Sequence, residues 1–308
     1  MKKVVIVYNP KSGKVKSKYV IEDFYLMAEK YDLDLQVITT KRRLDAINIV
    51  KNLPDDISLV IAAGGDGTLN ESIRGNLLRK KKLLMAHLPF GTTNDVGTMY
   101  GFSKNYLVDL EWILTGEKKN IDIILINNTP FIYCGAFGNF VNISYDTPKK
   151  LKETFGRIGY ILFGMTEINE KIRMNHIKYK VNGEAHEGDY SFIFITNSTR
   201  IGGVDNIYKD VKLDDNKFEV LFCKIKSKPL LVKALYHIRL FGVNNIDGCE
   251  YYKTDSLDIE FSEVPKFSWC IDGEEYKPDT NKFEFRINKD INLLMPTNNI
   301  NKLFVDKE

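Results

Sequence analysis

The sequence predicts an α/β domain on a parallel sheet, followed by a mainly antiparallel β domain. Three observations carry this. Apolar strand runs alternate with helix-period segments over residues 1–120. After about Asn120, short strand-like runs dominate, separated by Asn-Gly, Asp-Gly and Asn-Asn turns. A glycine-rich turn, Gly64 to Glu71, directly follows the apolar run Ile57–Ala63, as expected at the strand-to-helix junction of a βα unit.

The elements follow in order. Val4–Tyr8 reads as a strand, and Lys18–Lys30 as a helix with Val20, Ile21, Phe24, Met27 and Ala28 on one face. Leu33–Ile38 is a second strand, and Leu44–Lys51 a helix that stops at Leu53-Pro54. A third strand over Ile57–Ala62 leads into the glycine turn, a helix to about Leu78 and a strand over Leu83–His87. The β region offers Ile121–Ile126, Phe131–Cys134, Lys178–Val181, Tyr190–Thr196, Phe218–Cys223, Leu257–Phe261, Lys266–Ile271 and Lys282–Ile287. Helices over Leu151–Ile172 and Pro229–Phe241 interrupt it. Domains of residues 1–120 and 121–290 result, with 291–308 able to return to the first.

Bulk properties exclude several classes. With 308 residues, 44% hydrophobic and 28% charged, the chain is an ordinary globular protein. A net charge of +3 is too small to imply nucleic acid. The four cysteines lack CxxC spacing, so a disulfide scaffold or zinc site is not expected and a reducing cytoplasm fits. The N-terminus enters strand pattern at once, without a signal peptide, and no apolar run reaches a membrane span. Basic clusters at Arg79–Lys82, Lys118-Lys119, and Lys149-Lys150 with Lys152 suit either an anionic membrane surface or plain solvation.

Three loops carry chemistry, each behind a parallel strand, where α/β sheets bind ligands. In Gly64-Gly65-Asp66-Gly67-Thr68-Leu69-Asn70-Glu71, glycines let backbone N–H groups approach an anion where a helix begins. A carboxylate there repels phosphate unless a cation intervenes, so Asp66 points to Mg2+-nucleotide chemistry. Asn9-Pro10-Lys11-Ser12-Gly13 follows the first strand and lacks P-loop spacing; it is either a phosphate loop or an ordinary strand–helix junction. Pro89 to Asp95 holds Gly91, Thr92, Thr93 and Asn94, either as a helix cap or as a second ligand loop.

Taken in order, these loops resemble those of the bacterial diacylglycerol kinase-like lipid kinases, whose catalytic domain is related to that of sphingosine kinases. The resemblance covers nearly the whole chain: Asn9–Gly13, a GGDGTxNE loop at Gly64–Glu71, and a PxGTxND loop at Pro89–Asp95. NAD kinases and phosphofructokinases share the GGDG turn and the fold it implies for the first domain. The resemblance implies ATP contacts at Asn9, Pro10, Lys11, Ser12, Gly13, Thr40, Gly64, Gly65, Asp66, Gly67, Thr68, Leu69, Asn70, Glu71 and Thr92. Asp66 would hold Mg2+, with Asp95 supporting it.

Two matches lie in the β domain. Lys212 to Phe218 resembles a segment that holds a structural Mg2+ in Gram-positive members, implying Asp215 and the carbonyls of Lys212 and Lys217 as ligands. Lys209 and Asn216 depart there from the usual Pro and Gly, and a solvated turn is the alternative. Asp272-Gly273-Glu274 reads first as a hairpin turn; the resemblance makes Glu274 the general base on a lipid hydroxyl. Alternation points Glu275 away.

The resemblance thus implies an ATP- and Mg2+-dependent lipid kinase acting on diacylglycerol. It would be cytoplasmic and peripheral at the inner face of an anionic membrane, without nucleic acid and with a homodimer possible through an edge strand. The alternatives are a kinase for a sphingoid base, monoacylglycerol or polyprenol, an NAD kinase, and a non-catalytic nucleotide or lipid sensor.

Overall fold

The computed structural model describes residues 1–13, 19–103, 105–138, 172–205, 207–208, 210–243, 245–297 and 300–305. The chain forms two compact units, Met1–Asp122 with Asn288–Glu308, and Ile123–Ile287.

Unit 1 is the predicted α/β arrangement with one helix, α5, that the sequence pattern did not mark: β1 (Lys2–Tyr8), α1 (Val20–Lys30), β2 (Leu33–Thr39), α2 (Asp45–Lys51), β3 (Leu59–Gly64), α3 (Asp66–Leu77), β4 (Met85–Pro89), α4 (Asp95–Met99) and α5 (Tyr106–Leu114). The strands run parallel in the order β2-β1-β3-β4. β3 is buried at every position, as expected of a parallel strand covered on both faces. Val4, Ile6, Phe24, Ile61, Leu88, Phe90, Leu110 and Ile113 pack into one core.

The rest of the chain supplies β5 (Glu117–Ile126), β6 (Thr129–Phe131), β7 (Cys134–Gly138), β8 (Asn175–Val181), β9 (Glu184–Tyr190), β10 (Phe192–Thr196), β11 (Arg200–Ile201), β12 (Val204–Asp205) and β13 (Phe218–Cys223). Then come α6 (Lys228–Phe241), β14 (Cys249–Thr254), β15 (Ser256–Phe261), β16 (Trp269–Ile271), β17 (Glu274–Tyr276) and β18 (Lys282–Met295). In unit 2 one sheet runs β14-β13-β10-β7-β16-β17, antiparallel throughout. β15 pairs antiparallel with β8 and with the first half of β18, and β8 with β9. Trp269, Phe137, Phe261, Phe283 and Phe285 pack in edge-on and tilted ring contacts within this core.

Some boundaries differ from the sequence reading, for identifiable reasons. The run Phe131–Cys134 breaks between β6 and β7, because the Asp272 carboxylate accepts the N–H groups of Ile132, Tyr133 and Cys134. Tyr190–Thr196 breaks at Ser191, whose N–H and hydroxyl both donate to the Cys223 carbonyl. β18 is far longer than the predicted Lys282–Ile287; its tail pairs parallel with β4 through Leu293 and Met85 within unit 1. β9 was missed because Glu184–Tyr190 is too polar to show a strand pattern. The helix predicted over Leu151–Ile172 and Lys149, Lys150, Lys152 and Lys209 lie outside the described residues, except Ile172.

The Arg79–Lys82 cluster serves the fold of unit 1. Arg79 is buried and donates to the carbonyls of Val50 and Lys51 at the end of α2, to that of Leu53 just past it, and to Asp55. Such a cation answers the orphan carbonyls of a helix end. Lys81 and Lys82 likewise reach backbone carbonyls.

Candidate active site

Behind β1, the Asn9 N–H donates to the Ala63 carbonyl at 2.9 Å, and its side-chain amide donates to the Thr68 hydroxyl at 3.1 Å. The Asn9 side-chain oxygen accepts from the Lys11 N–H, and its carbonyl from the Ser12 N–H. This short Asx-type turn leaves Pro10 and Lys11 exposed. Gly13 has φ +67°, and a Cβ there would stand 1.5 Å from the Phe90 carbonyl oxygen. Only glycine fits that contact. Ser12 accepts the Gly65 N–H at 3.3 Å, so the first loop leans on the second.

The second loop runs from β3 into α3, with Gly65 as an extended N-cap. The Thr68 and Leu69 N–H groups return to the Gly65 carbonyl. A Cβ on Gly67 would meet nothing within 4 Å, so packing does not require glycine there and the backbone stands open to a ligand. Thr68, Leu69 and Asn70 are buried, Leu69 fully, so Leu69 packs inside the loop rather than lining its surface. Glu71 has a structural task. Its carboxylate accepts the N–H groups of Leu44 at 2.9 Å and Ala46 at 3.3 Å, holding the start of α2. Leu44 there adopts φ +66°, a conformation that leucine rarely takes without such support.

The third loop is fastened to Asp66. Its two carboxylate oxygens accept the backbone N–H groups of Asp95 (3.0 Å) and Val96 (3.3 Å), at the start of α4. Asp95 is fully buried, Thr92 is exposed, and Asn94 adopts φ +48°. The Asn94 side-chain oxygen is buried with no hydrogen-bond partner among the described residues. His87 Nε2 lies 3.9 Å from Asp66. Burial drives the His87 pKa down to about 4, so the imidazole is neutral at pH 7 and this contact is not an ion pair. Thr40 is buried just past β2, its N–H on the Tyr8 carbonyl. Neither His87 nor the Glu71 clamp was marked by the sequence reading: both act through burial and long-range contacts.

In unit 2, Asp272-Gly273 closes the two-residue hairpin between β16 and β17, at φ +48° and +83°. The buried Asp272 carboxylate accepts from Ile132 (2.6 Å), Tyr133 (3.0 Å) and Cys134 (3.1 Å). Glu274, half-buried, starts β17 opposite Ile271. Exposed Glu275 accepts from the Ser268 hydroxyl at 2.8 Å and sits 3.9 Å from Lys277.

In the Lys212–Lys217 loop, where the resemblance implies a structural Mg2+, the Asp215 carboxylate makes two contacts. Asn216 does adopt the left-handed conformation (φ +62°), so its departure from Gly is tolerated. Asp215 accepts the Lys217 N–H at 3.0 Å and pairs with the Lys253 ammonium at 2.7 Å. Lys253 also donates to the Asp210 carbonyl and lies 3.6 Å from buried Glu219. Burial pushes the Glu219 pKa up to about 8, with Lys253 opposing. The ammonium thus sets a positive charge against Asp215.

Among the described residues, no group of three or more His, Cys, Asp or Glu side chains converges as a metal cage. Asp66 nevertheless fits a Mg2+ held mainly by phosphates and water. Such ions use one or two protein carboxylates, and a carboxylate has about four acceptor directions, so two N–H bonds do not by themselves exhaust it.

Residues 3–126 match the diacylglycerol kinase catalytic domain. Diacylglycerol kinases of Staphylococcus aureus strains bovine RF122 / ET3-1 and MRSA252 are each 29% identical over 221 residues, covering 71% of this chain and 70% of theirs. The structure of a diacylglycerol kinase from Bacillus anthracis strain Sterne superposes with a TM-score of 0.74 at 19% identity, over 96% of this chain and 97% of that one. A second structure from that organism reaches 0.81 at 21% identity, over 96% of each chain. Over residues 3–126 the chain is therefore similar to the diacylglycerol kinase catalytic domain, and as a whole it shares the fold of these bacterial proteins.

Proposed function

We propose that this protein is an ATP-dependent lipid kinase that converts diacylglycerol to phosphatidic acid at the cytoplasmic face of a membrane. One observation carries the reading. Three loops of unit 1, within the segment matched to the catalytic domain, brace one another: Ser12 holds Gly65, and Asp66 holds the start of α4. A site that must present backbone N–H groups to a polyphosphate needs this kind of preorganisation.

In this reading Asn9–Gly13, Thr40, Gly64 to Glu71 and Thr92 form the ATP site, with Leu69 buried inside it and the Glu71 carboxylate engaged on the start of α2. Mg2+, when bound, supplies charge neutralisation on the transferring phosphates; Asp66 would hold it, with Asp95 behind. Glu274 takes the proton of the lipid hydroxyl as that oxygen bonds to the γ-phosphorus. The bond from that phosphorus to the β–γ bridging oxygen breaks, and ADP leaves.

Purified protein incubated with labelled ATP and a panel of diacylglycerol, monoacylglycerol, a sphingoid base, a polyprenol and NAD tests this. Diacylglycerol is expected to accept label fastest. Transfer to another lipid alcohol would replace the substrate, and transfer to NAD alone would sink the lipid-kinase reading. Glu274→Gln is expected to lose about 10²–10⁴-fold in turnover, the usual range for a general base, while still binding ATP. Wild-type turnover in that variant would remove Glu274 from the role.

A further inference from the structure

We propose that the outer face of α6 docks on an anionic lipid bilayer. The proposal rests on the lipid-kinase reading, because a substrate held in a membrane is the reason to dock there. α6 packs one side on unit 2: Leu231 and Ala234 are buried against Cys223 and Ile225, with Phe192, Ile246 and Cys249 alongside. The other side carries Leu230, Lys233, Tyr236, Leu240 and Phe241, at spacings that put them on adjoining helical rows. The four apolar members of this set are 53–60% exposed. Four large apolar side chains more than half exposed along one 14-residue helix are unusual on a surface that meets only water.

Charge selects the occupant. From Val220 to Ile246 there is no Asp or Glu, while Lys226, Lys228, Lys233 and Arg239 are basic. Lys226 and Lys233 are exposed. The contrast with α1 is direct. Its exposed Ile21, Tyr25 and Leu26 are interleaved with Glu22, Asp23 and Glu29, which an anionic surface would repel. α6 instead combines leucine and aromatic side chains with lysines, the composition of a helix lying in the headgroup plane. Among the described residues no helix is long and apolar enough to cross a bilayer. Contact at the surface is therefore the mode available to α6.

The test uses the full-length protein and substrate-free vesicles of phosphatidylcholine with or without phosphatidylglycerol, read by flotation. Turnover of short-chain diacylglycerol in detergent micelles is measured in parallel. Wild type should float at least about tenfold better with the anionic vesicles. Leu240→Glu with Phe241→Glu should cut that binding at least about tenfold and leave micellar turnover within about twofold. Lys226→Glu with Lys233→Glu should weaken binding similarly and flatten its salt dependence. Unchanged flotation of both variants would overturn the proposal. So would a shift from dimer to monomer in the apolar variant with flotation intact, which assigns the face to a second copy of the chain. Intact flotation without kinase activity on any lipid would support the docking face and break the functional reading alone.

Discussion

Each unit organises its candidate chemistry around one aspartate that gathers backbone N–H groups. In unit 1 Asp66 holds Asp95 and Val96, 29 and 30 residues away. In unit 2 Asp272 holds Ile132, Tyr133 and Cys134, 138 to 140 residues away. The surroundings differ. Asp66 opens a helix beside Gly67, whose absent side chain leaves open space. Asp272 sits buried in a hairpin turn, and its bonds end one strand and begin another. The same chemical device therefore has two consequences. Beside open space it places a charge where a ligand can meet it; enclosed, it works as a fastener.

Replacing each aspartate by alanine should break that comparison most visibly. Asp272→Ala strands three buried N–H groups at about 1–3 kcal/mol each, so a loss of at least about 3 kcal/mol is expected in urea denaturation. Near-neutral stability would show that the clamp carries no weight. Asp66→Ala strands two N–H groups, a smaller structural loss of roughly 2 kcal/mol. It should nevertheless remove about 10²–10³-fold of turnover on diacylglycerol. Loss of stability with turnover retained per folded molecule would make Asp66 a fastener like Asp272.

The smallest effect is a pH dependence of opposite sign in the two units. His87 titrates near 4 in the folded state against 6.5 unfolded, so the unfolded chain binds more protons in that window. Unit 1 should gain stability as pH rises from about 4 to 6.5, and lose it on acidification. Glu219 titrates near 8 against 4.5, so the folded chain holds more protons there. Unit 2 should lose stability as pH rises from about 4.5 to 8. His87→Leu and Glu219→Gln should each flatten one limb of a melting-temperature profile. A profile unchanged by both would reject these assignments.

The order of strands and helices in unit 1 as far as β4, the glycine turn and the change to antiparallel texture were readable from residues 1–120 and the turns beyond, whereas α5 was not. They arise from local causes: hydrophobic period, turn chemistry and the special freedom of glycine. Gly64 to Glu71 could be singled out for the same reason, since its residue types and spacing carry their meaning within eight positions. What the tertiary structure decided has a different origin. Glu71 reaching Leu44, Lys253 answering Asp215, Arg79 closing the end of α2 and Asp272 dividing β6 from β7 are meetings of residues far apart in the chain. Burial makes His87 neutral, and packing of Leu231 and Ala234 leaves the other side of α6 exposed. No pattern along the chain encodes such pairings, because the free energy of a charge or an apolar face depends on what the folded chain brings against it.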